Sequence, residues 1–169
     1  VFLAVGFIAF SSHGATSGDW IYEIITDVEN QPLNEARVIG YNGSSGDVSI
    51  PSSLNGIPIT IIGLGMLPEP VFSSSALVTN LVIPNGVKVI SNWAFDGTTN
   101  LKNITIPNSV THIGYAAFGG CSGLEEIVIP ESTTNISDLV FVNCSRLTKI
   151  IVSPLNPRFS SSDGILLSK

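Results

Sequence analysis

From Val78 to Lys169 the chain divides without a gap into four units of 23 residues: VTNLVIPNGVKVISNWAFDGTTN, LKNITIPNSVTHIGYAAFGGCSG, LEEIVIPESTTNISDLVFVNCSR and LTKIIVSPLNPRFSSSDGILLSK. Val78, Leu101, Leu124 and Leu147 open them. Leu81, Ile104, Ile127 and Ile150 follow, then Ile83, Ile106, Ile129 and Val152, and Pro84, Pro107 and Pro130 end the apolar run. A fixed period of this length marks supersecondary units that cannot bury their apolar faces alone and must stack on their neighbours. The fold class that follows is a repeat solenoid of parallel β-strands.

Each unit can be folded from its own residues. LxxIxIP alternates apolar and polar positions and stops at proline, which cannot donate to a ladder, so it reads as a short strand. A second apolar pair, Val110 and Ile113 in the unit 101–123, precedes GYAAFGGC. Ala117 and Phe118 there occupy a tight return, a helical or 3₁₀ turn or an irregular equivalent. Phe95, Phe118 and Phe141 share one repeat position and should stack in the core. The next member of that column is Gly164, where the repeat gives way to an Asp163-Gly164 hairpin turn.

Stacked strands lie about 4.7–4.9 Å apart, so each position sits beside its counterpart in the next unit. Lys102 then falls beside Glu125 and Glu126 beside Lys149, the opposite-charge neighbours that cross-strand pairing favours. Val82, Thr105, Val128 and Ile151 form a mostly apolar stripe that should face solvent.

Residues 47–77 form an irregular first rung. DVSIP (47–51) matches the strand signature, ITIIG (59–63) matches VTHIG (110–114), and Phe72 precedes Phe95 by 23 positions. Two insertions lengthen this rung, in SSLNGIP and LGMLPEP, and both should bulge as loops; Leu64–Pro70 should protrude. Before it, in residues 16–46, WIYEIITDV and ARVIGY flank the turn-forming ENQPLNE and read as an antiparallel N-terminal β-hairpin cap. Such a cap covers the open edge and core of a first rung.

The opening run VFLAVGFIAF is apolar, uncharged and followed by small residues at Ser12 and Gly14, or His13 and Ala15. It reads as part of a signal peptide over residues 1–15, against the alternative of a buried strand, and it is too short for a bilayer-spanning helix of about 20 residues. Export places the mature chain outside the cytoplasm, secreted or at the cell surface. A net charge of −6 with seven scattered Lys and Arg argues against nucleic acid and against a polyanionic membrane surface.

The motif LxxIxIPxSVTxIGxxAFxxCxxL, present almost whole as LKNITIPNSVTHIGYAAFGGCSGLEEIVIP, resembles the BspA-like class of bacterial leucine-rich repeats from Val48 to Lys169. Thr98 in the Cys slot, Thr133 and Asn135, and Ser153 in place of the strand-ending proline depart from it and loosen individual rungs. The resemblance implies a leucine-rich-repeat fold and a secreted or surface-attached protein used in adhesion or protein binding. It implies no shared catalytic residues and no shared ligand, and no cofactor is expected.

Enzymatic chemistry finds little support. His112 shares its repeat position with Val89, Asn135 and Arg158, a variable slot suited to a surface histidine. Glu125 and Glu126 are adjacent in a strand and point to opposite faces, which spoils them as an acid and base pair. No glycine-rich phosphate loop, zinc spacing or calcium loop is present. Cys121 and Cys144 stack at a separation that a disulfide tolerates, yet their place beside the Phe column favours buried free thiols. The Asn-x-Ser/Thr triplets at Asn42, Asn103, Asn135 and Asn143 are most simply chance in an Asn- and Ser-rich chain.

The expected function is an interaction or adhesion module presenting Asn80, Val82, Asn103, Thr105, Glu126, Val128, Lys149 and Ile151 to a partner, a host or matrix protein or a glycan. The alternative is a spacer or presentation arm for a further domain.

Overall fold

The computed structural model describes residues 20–26, 32–65, 70–72 and 77–169. The leader expected at 1–15 lies outside the described residues, as do residues 66–69 at the centre of the loop expected to protrude. In chain order the strands are β1 (Trp20–Thr26), β2 (Pro32–Tyr41), β3 (Asp47–Ser49), β4 (Ser53–Leu54), β5 (Ile57–Ile62), β6 (Asn80–Val82), β7 (Val89–Ile90), β8 (Asn103–Thr105), β9 (His112–Ile113), β10 (Glu126–Ile129), β11 (Asn135–Ile136), β12 (Lys149–Val152), β13 (Phe159–Ser162) and β14 (Ile165–Ser168).

The units 78–100, 101–123 and 124–146 each supply one strand to a front ladder and a shorter one to a back ladder, while the unit 147–169 supplies a front strand and the β13–β14 hairpin. In front, β3, β6 and β8 run parallel with Val48, Leu81 and Ile104 in register, and β10 and β12 pair Ile127 with Ile150. Behind, β5, β7, β9 and β11 align Ile62, Ile90, Ile113 and Ile136. The period thus sets the register, and the irregular rung is phased as its sequence implied. Alternation does the sorting: Leu81, Ile83, Ile127 and Ile129 are buried, while Val82 and Val128 between them are exposed.

The return takes the irregular form. Trp93, Ala116 and Leu139 have φ of 55°, 48° and 56°, and Gly97, Gly120 and Asn143 have φ of 70°, 65° and 60°. A left-handed residue at both ends of the segment prevents a right-handed helix from propagating, so consecutive turns form, with no helix among the described residues. These turns still make a ladder of their own. Phe95 N–H donates to Ala117 O (2.8 Å), Phe118 N–H to Val140 O (3.0 Å) and Gly97 N–H to Gly119 O (2.7 Å), each reaching to the following rung.

Inside, the phenylalanines stack as expected: Phe72, Phe95, Phe118 and Phe141 have successive ring centroids 5.6, 5.2 and 5.9 Å apart, the last two pairs within 15° of parallel. Tyr41 and Trp20 extend the column into the N-terminal hairpin, with centroids 5.3 Å from Tyr41 to Phe72 and 4.7 Å from Trp20 to Tyr41. The hairpin joins the back ladder alone, β2 running parallel to β5. On it, buried Glu23 receives Arg37 at 2.6 Å.

The insertion at SSLNGIP is no loop bulge. Asn55 and Gly56, at φ of 51° and 80°, turn β4 back antiparallel onto β5 and bury Leu54. Two successive left-handed residues are what a tight hairpin requires, and Asn-Gly supplies them at little cost. Of the other insertion, Leu64, Gly65 and Pro70 are half-buried, and Gly65 O accepts from the Asn92 amide at 2.9 Å.

At the far end Asp163 and Gly164, at φ of 52° and 78°, form the expected hairpin between β13 and β14. A Cβ at Gly164 would lie 2.4 Å from Thr148 O, so no side chain fits there. Phe159 and Leu166 pack against the last rung. One buried column changes character as it approaches this end: Val87, Val110, Thr133 and Asn156. Thr133 Oγ1 donates to Val110 O (2.9 Å), and Asn156 Nδ2 donates to both Thr133 O and Pro130 O (2.8 Å each).

Candidate functional site

The front ladder projects two parallel columns outward. One runs Asp47, Asn80, Asn103, Glu126, Lys149; the other runs Ser49, Val82, Thr105, Val128, Ile151, following the strand register within β3–β8 and within β10–β12 and the 23-residue period between the two groups. All eight residues expected at a partner surface therefore lie on one face. The sequence reading omitted Asp47 and Ser49, although DVSIP at 47–51 carried the signal that places them at the head of the same columns.

The polar column satisfies much of itself. Asn80 Nδ2 donates to Asp47 Oδ1 at 2.5 Å, Asn103 Nδ2 donates to Asn80 Oδ1 at 2.6 Å, and Lys149 Nζ meets Glu126 Oε2 at 2.6 Å. Between these two groups the chain of contacts stops. The backbone stops with it, because β8 and β10 are not joined in a ladder. Lys102 and Glu125, the other oppositely charged neighbours that the register implied, flank this break and do not close into an ion pair. An exposed pair gains at most about 1 kcal/mol, too little to draw two strands together.

The apolar column is more open. Val82 is 46 % and Val128 48 % exposed, and Thr105 between them is exposed too. Ile151 is half-buried. The face is thus an aliphatic strip beside a row of amides and charges that bond mainly to one another.

The back face holds His112, exposed as its variable slot implied. Its Nδ1 lies 2.7 Å from Thr111 Oγ1 and its Nε2 2.5 Å from Asn135 Nδ2. These two contacts fix the orientation of the ring on the face. It borders an open depression of about 260 Å³ floored by Ser91, Gly114 and Ser137. Higher on this face Glu35 accepts from Thr60 Oγ1 (2.9 Å) and Lys88 Nζ (3.2 Å), and those bonds, Thr60's first, hold its carboxyl below the usual range.

Cys121 and Cys144 are unbonded. Each thiol donates to a carbonyl of the rung above, Cys121 to Phe95 O (3.1 Å) and Cys144 to Phe118 O (3.0 Å), and burial raises the pKa of both. Neither is therefore a nucleophile at neutral pH. Among the described residues no group of His, Cys, Asp and Glu is placed to hold a metal ion, and no helix is long and apolar enough to cross a membrane.

With strand, return and Cys slot all in register, comparison with known families is decisive. The model of the BspA type leucine rich repeat region (6 copies) matches residues 66–162, more than half of the chain. The chain belongs to the BspA-type leucine-rich repeat family. Solved structures of the same architecture are similar to this BspA-type chain. A leucine-rich repeat protein from Bacteroides capillosus superposes with a TM-score of 0.66 at 24 % identity, covering 82 % of this chain and 97 % of that one. The T. pallidum leucine-rich repeat protein gives 0.59 at 20 % identity, covering 76 % and 67 %. The pneumococcal vaccine antigen PcpA gives 0.55 at 17 %, covering 89 % and 52 %. No curated protein matches. At these identities the likeness fixes the BspA-type fold and leaves function to the residues themselves.

Proposed function

We propose that this BspA-type chain is an extracellular protein-interaction module that binds its partner through the front face, with Val82, Val128 and Ile151 as the apolar contacts and Asn80, Asn103, Thr105, Glu126 and Lys149 as the polar surround. The observation that carries this is the aliphatic strip left open beside polar groups already bonded to one another. Burying Val82 and Val128 against a partner gains about 25 cal/mol per Å² of apolar surface, and a satisfied Asn and Glu–Lys column adds little desolvation penalty. The leader-like run at the start of the sequence supports a secreted or cell-surface location. The partner that fits is a protein with a complementary apolar patch, such as a host or matrix protein.

The test is affinity capture from host serum and matrix extracts by three proteins: the wild type, a Val82→Ser/Val128→Ser/Ile151→Ser variant and a His112→Ser variant of the back face, all checked by circular dichroism. Capture of a defined protein that the triple variant loses and the His112 variant keeps supports the front face. Equal capture by the wild type and the triple variant removes the front face as the site.

A further inference from the structure

A second concavity lies where the front ladder breaks, on the corner leading from the Cys slot into the strands. Its volume is about 390 Å³ and it spans three successive units. One column down this corner runs Asn100, Gly123, Arg146. Gly123 is buried against the rung above, where a Cβ would lie 2.6 Å from Thr99 O and 3.0 Å from Leu101 O. That column therefore dips at its middle, with Asn100 and Lys102 on one side and Arg146 on the other. Thr99, Ser122 and Ser145 add hydroxyls, and no aliphatic or aromatic side chain lines the space.

The charges here are unusual for this molecule. The chain has seven Lys and Arg against thirteen Asp and Glu. Arg37, Lys88 and Lys149 are each paired with a glutamate, and Lys169 Nζ is held by Asn156 O at 2.6 Å. Among the described residues that leaves Lys102, Arg146 and Arg158, and two of these three line the same concavity. Glu125, next to Lys102 in register, makes no ion pair with it and does not line the space. A concavity lined by one sign of charge concentrates the field for a counter-ion, and a guanidinium fork and an ammonium on facing sides of it offer donors to the oxygens of a carboxylate or sulfate.

We propose that this concavity is a subsite for an oxyanion carried on a saccharide, Lys102 and Arg146 taking the charged group and Thr99, Ser122 and Ser145 the sugar hydroxyls. Its volume falls in the range of about 300–1,000 Å³ typical of small-molecule sites, larger than a bare oxyanion fills. Walls made only of hydroxyl, amide and cationic groups suit a hydroxylated ligand better than the apolar side chains of a peptide. The subsite stands apart from the apolar strip of the front face and does not depend on it.

The test is an amide NMR titration of the whole chain at low ionic strength with N-acetylglucosamine 6-sulfate, glucuronate, unsulfated N-acetylglucosamine and inorganic sulfate. Either charged sugar should shift Ser122, Gly123 and Ser145, with the uncharged sugar silent and inorganic sulfate weaker. Arg146→Gln and Lys102→Gln should each weaken binding about tenfold, the loss expected when one charged hydrogen-bond partner is removed, and Arg158→Gln should leave it unchanged. Binding by the uncharged sugar, affinity for inorganic sulfate equal to that for the sulfated sugar, or equal loss in the Arg158 variant would each overturn the assignment. So would the absence of any shift.

Discussion

The first and the last described rungs are covered by different chemistry. At the N-terminal end Trp20, Tyr41 and Phe72 bury the end of the aromatic column almost completely, and β1 and β2 continue the back ladder. At the other end Ile136, Phe141, Leu147 and Ile150 are only partly buried, while Leu155, Ile165 and Leu167 are exposed. There the closure is largely polar. Asn156 spends its amide on the carbonyls of Pro130 and Thr133, and its own Oδ1 accepts from the N–H groups of Arg158 and Phe159 at 2.9 Å. A rung can thus be covered by adding apolar surface or by satisfying its buried carbonyls with a side-chain amide. The first gains burial; the second removes a penalty.

The largest test of this contrast lies in the aromatic column. Trp20→Ala and Phe118→Ala should each cost about 3–5 kcal/mol, as fully buried aromatic truncations do. Phe141→Ala should cost only about 2 kcal/mol, because part of its surface already meets water. Urea unfolding measures all three, and an equal loss at Phe118 and Phe141 would show that the second end is sealed as well as the first.

Asn156→Ala should cost about 1–3 kcal/mol, since it removes the donor to the buried Thr133 carbonyl and one of the two donors to Pro130 O. The same measurement on Thr133→Val should give a smaller loss, one hydrogen bond being removed with shape kept. If Asn156→Ala is neutral, the polar plug does not close this end.

Alkaline stability probes the interior between the ends. The unfolded Cys121 thiol ionises near its ordinary value of 9.0, while the folded one, buried and pushed up, keeps its proton. The unfolded state therefore binds fewer protons above pH 9, and stability should fall there by about 1.4 kcal/mol per pH unit from this thiol. Cys121→Ala should flatten that slope. The smallest effect is expected on the exposed back face, where His112→Ala should change stability by less than about 0.5 kcal/mol. A loss matching that of Phe118→Ala would mean the register is wrong.

Much of this architecture was legible because identical spacing forces identical environment. Phe95, Phe118 and Phe141 stack, Asp163-Gly164 turns, and Glu126 meets Lys149, all as the period implied. Asn55-Gly56 carries the same kind of turn signal, and there the structure has a hairpin where the repeat alignment implies a loop, because two left-handed residues in succession pair β4 with β5. Thr133 read as a lapse in the repeat, and the structure makes it the first polar step toward Asn156.

By itself the sequence determined which residues lie over which, since a period of 23 residues maps position onto column whatever the detailed path of the chain. It also determined which columns are apolar, and hence the interior. Only the tertiary structure decided that the front ladder parts between β8 and β10, that the N-terminal hairpin extends the back ladder alone, and that Lys102 and Arg146 face one space without acidic partners among the described residues. These depend on distances across neighbouring rungs. Periodicity brings such residues near one another, but hydrogen-bond geometry, which weakens steeply over a few tenths of an ångström and a few tens of degrees, determines which contacts close.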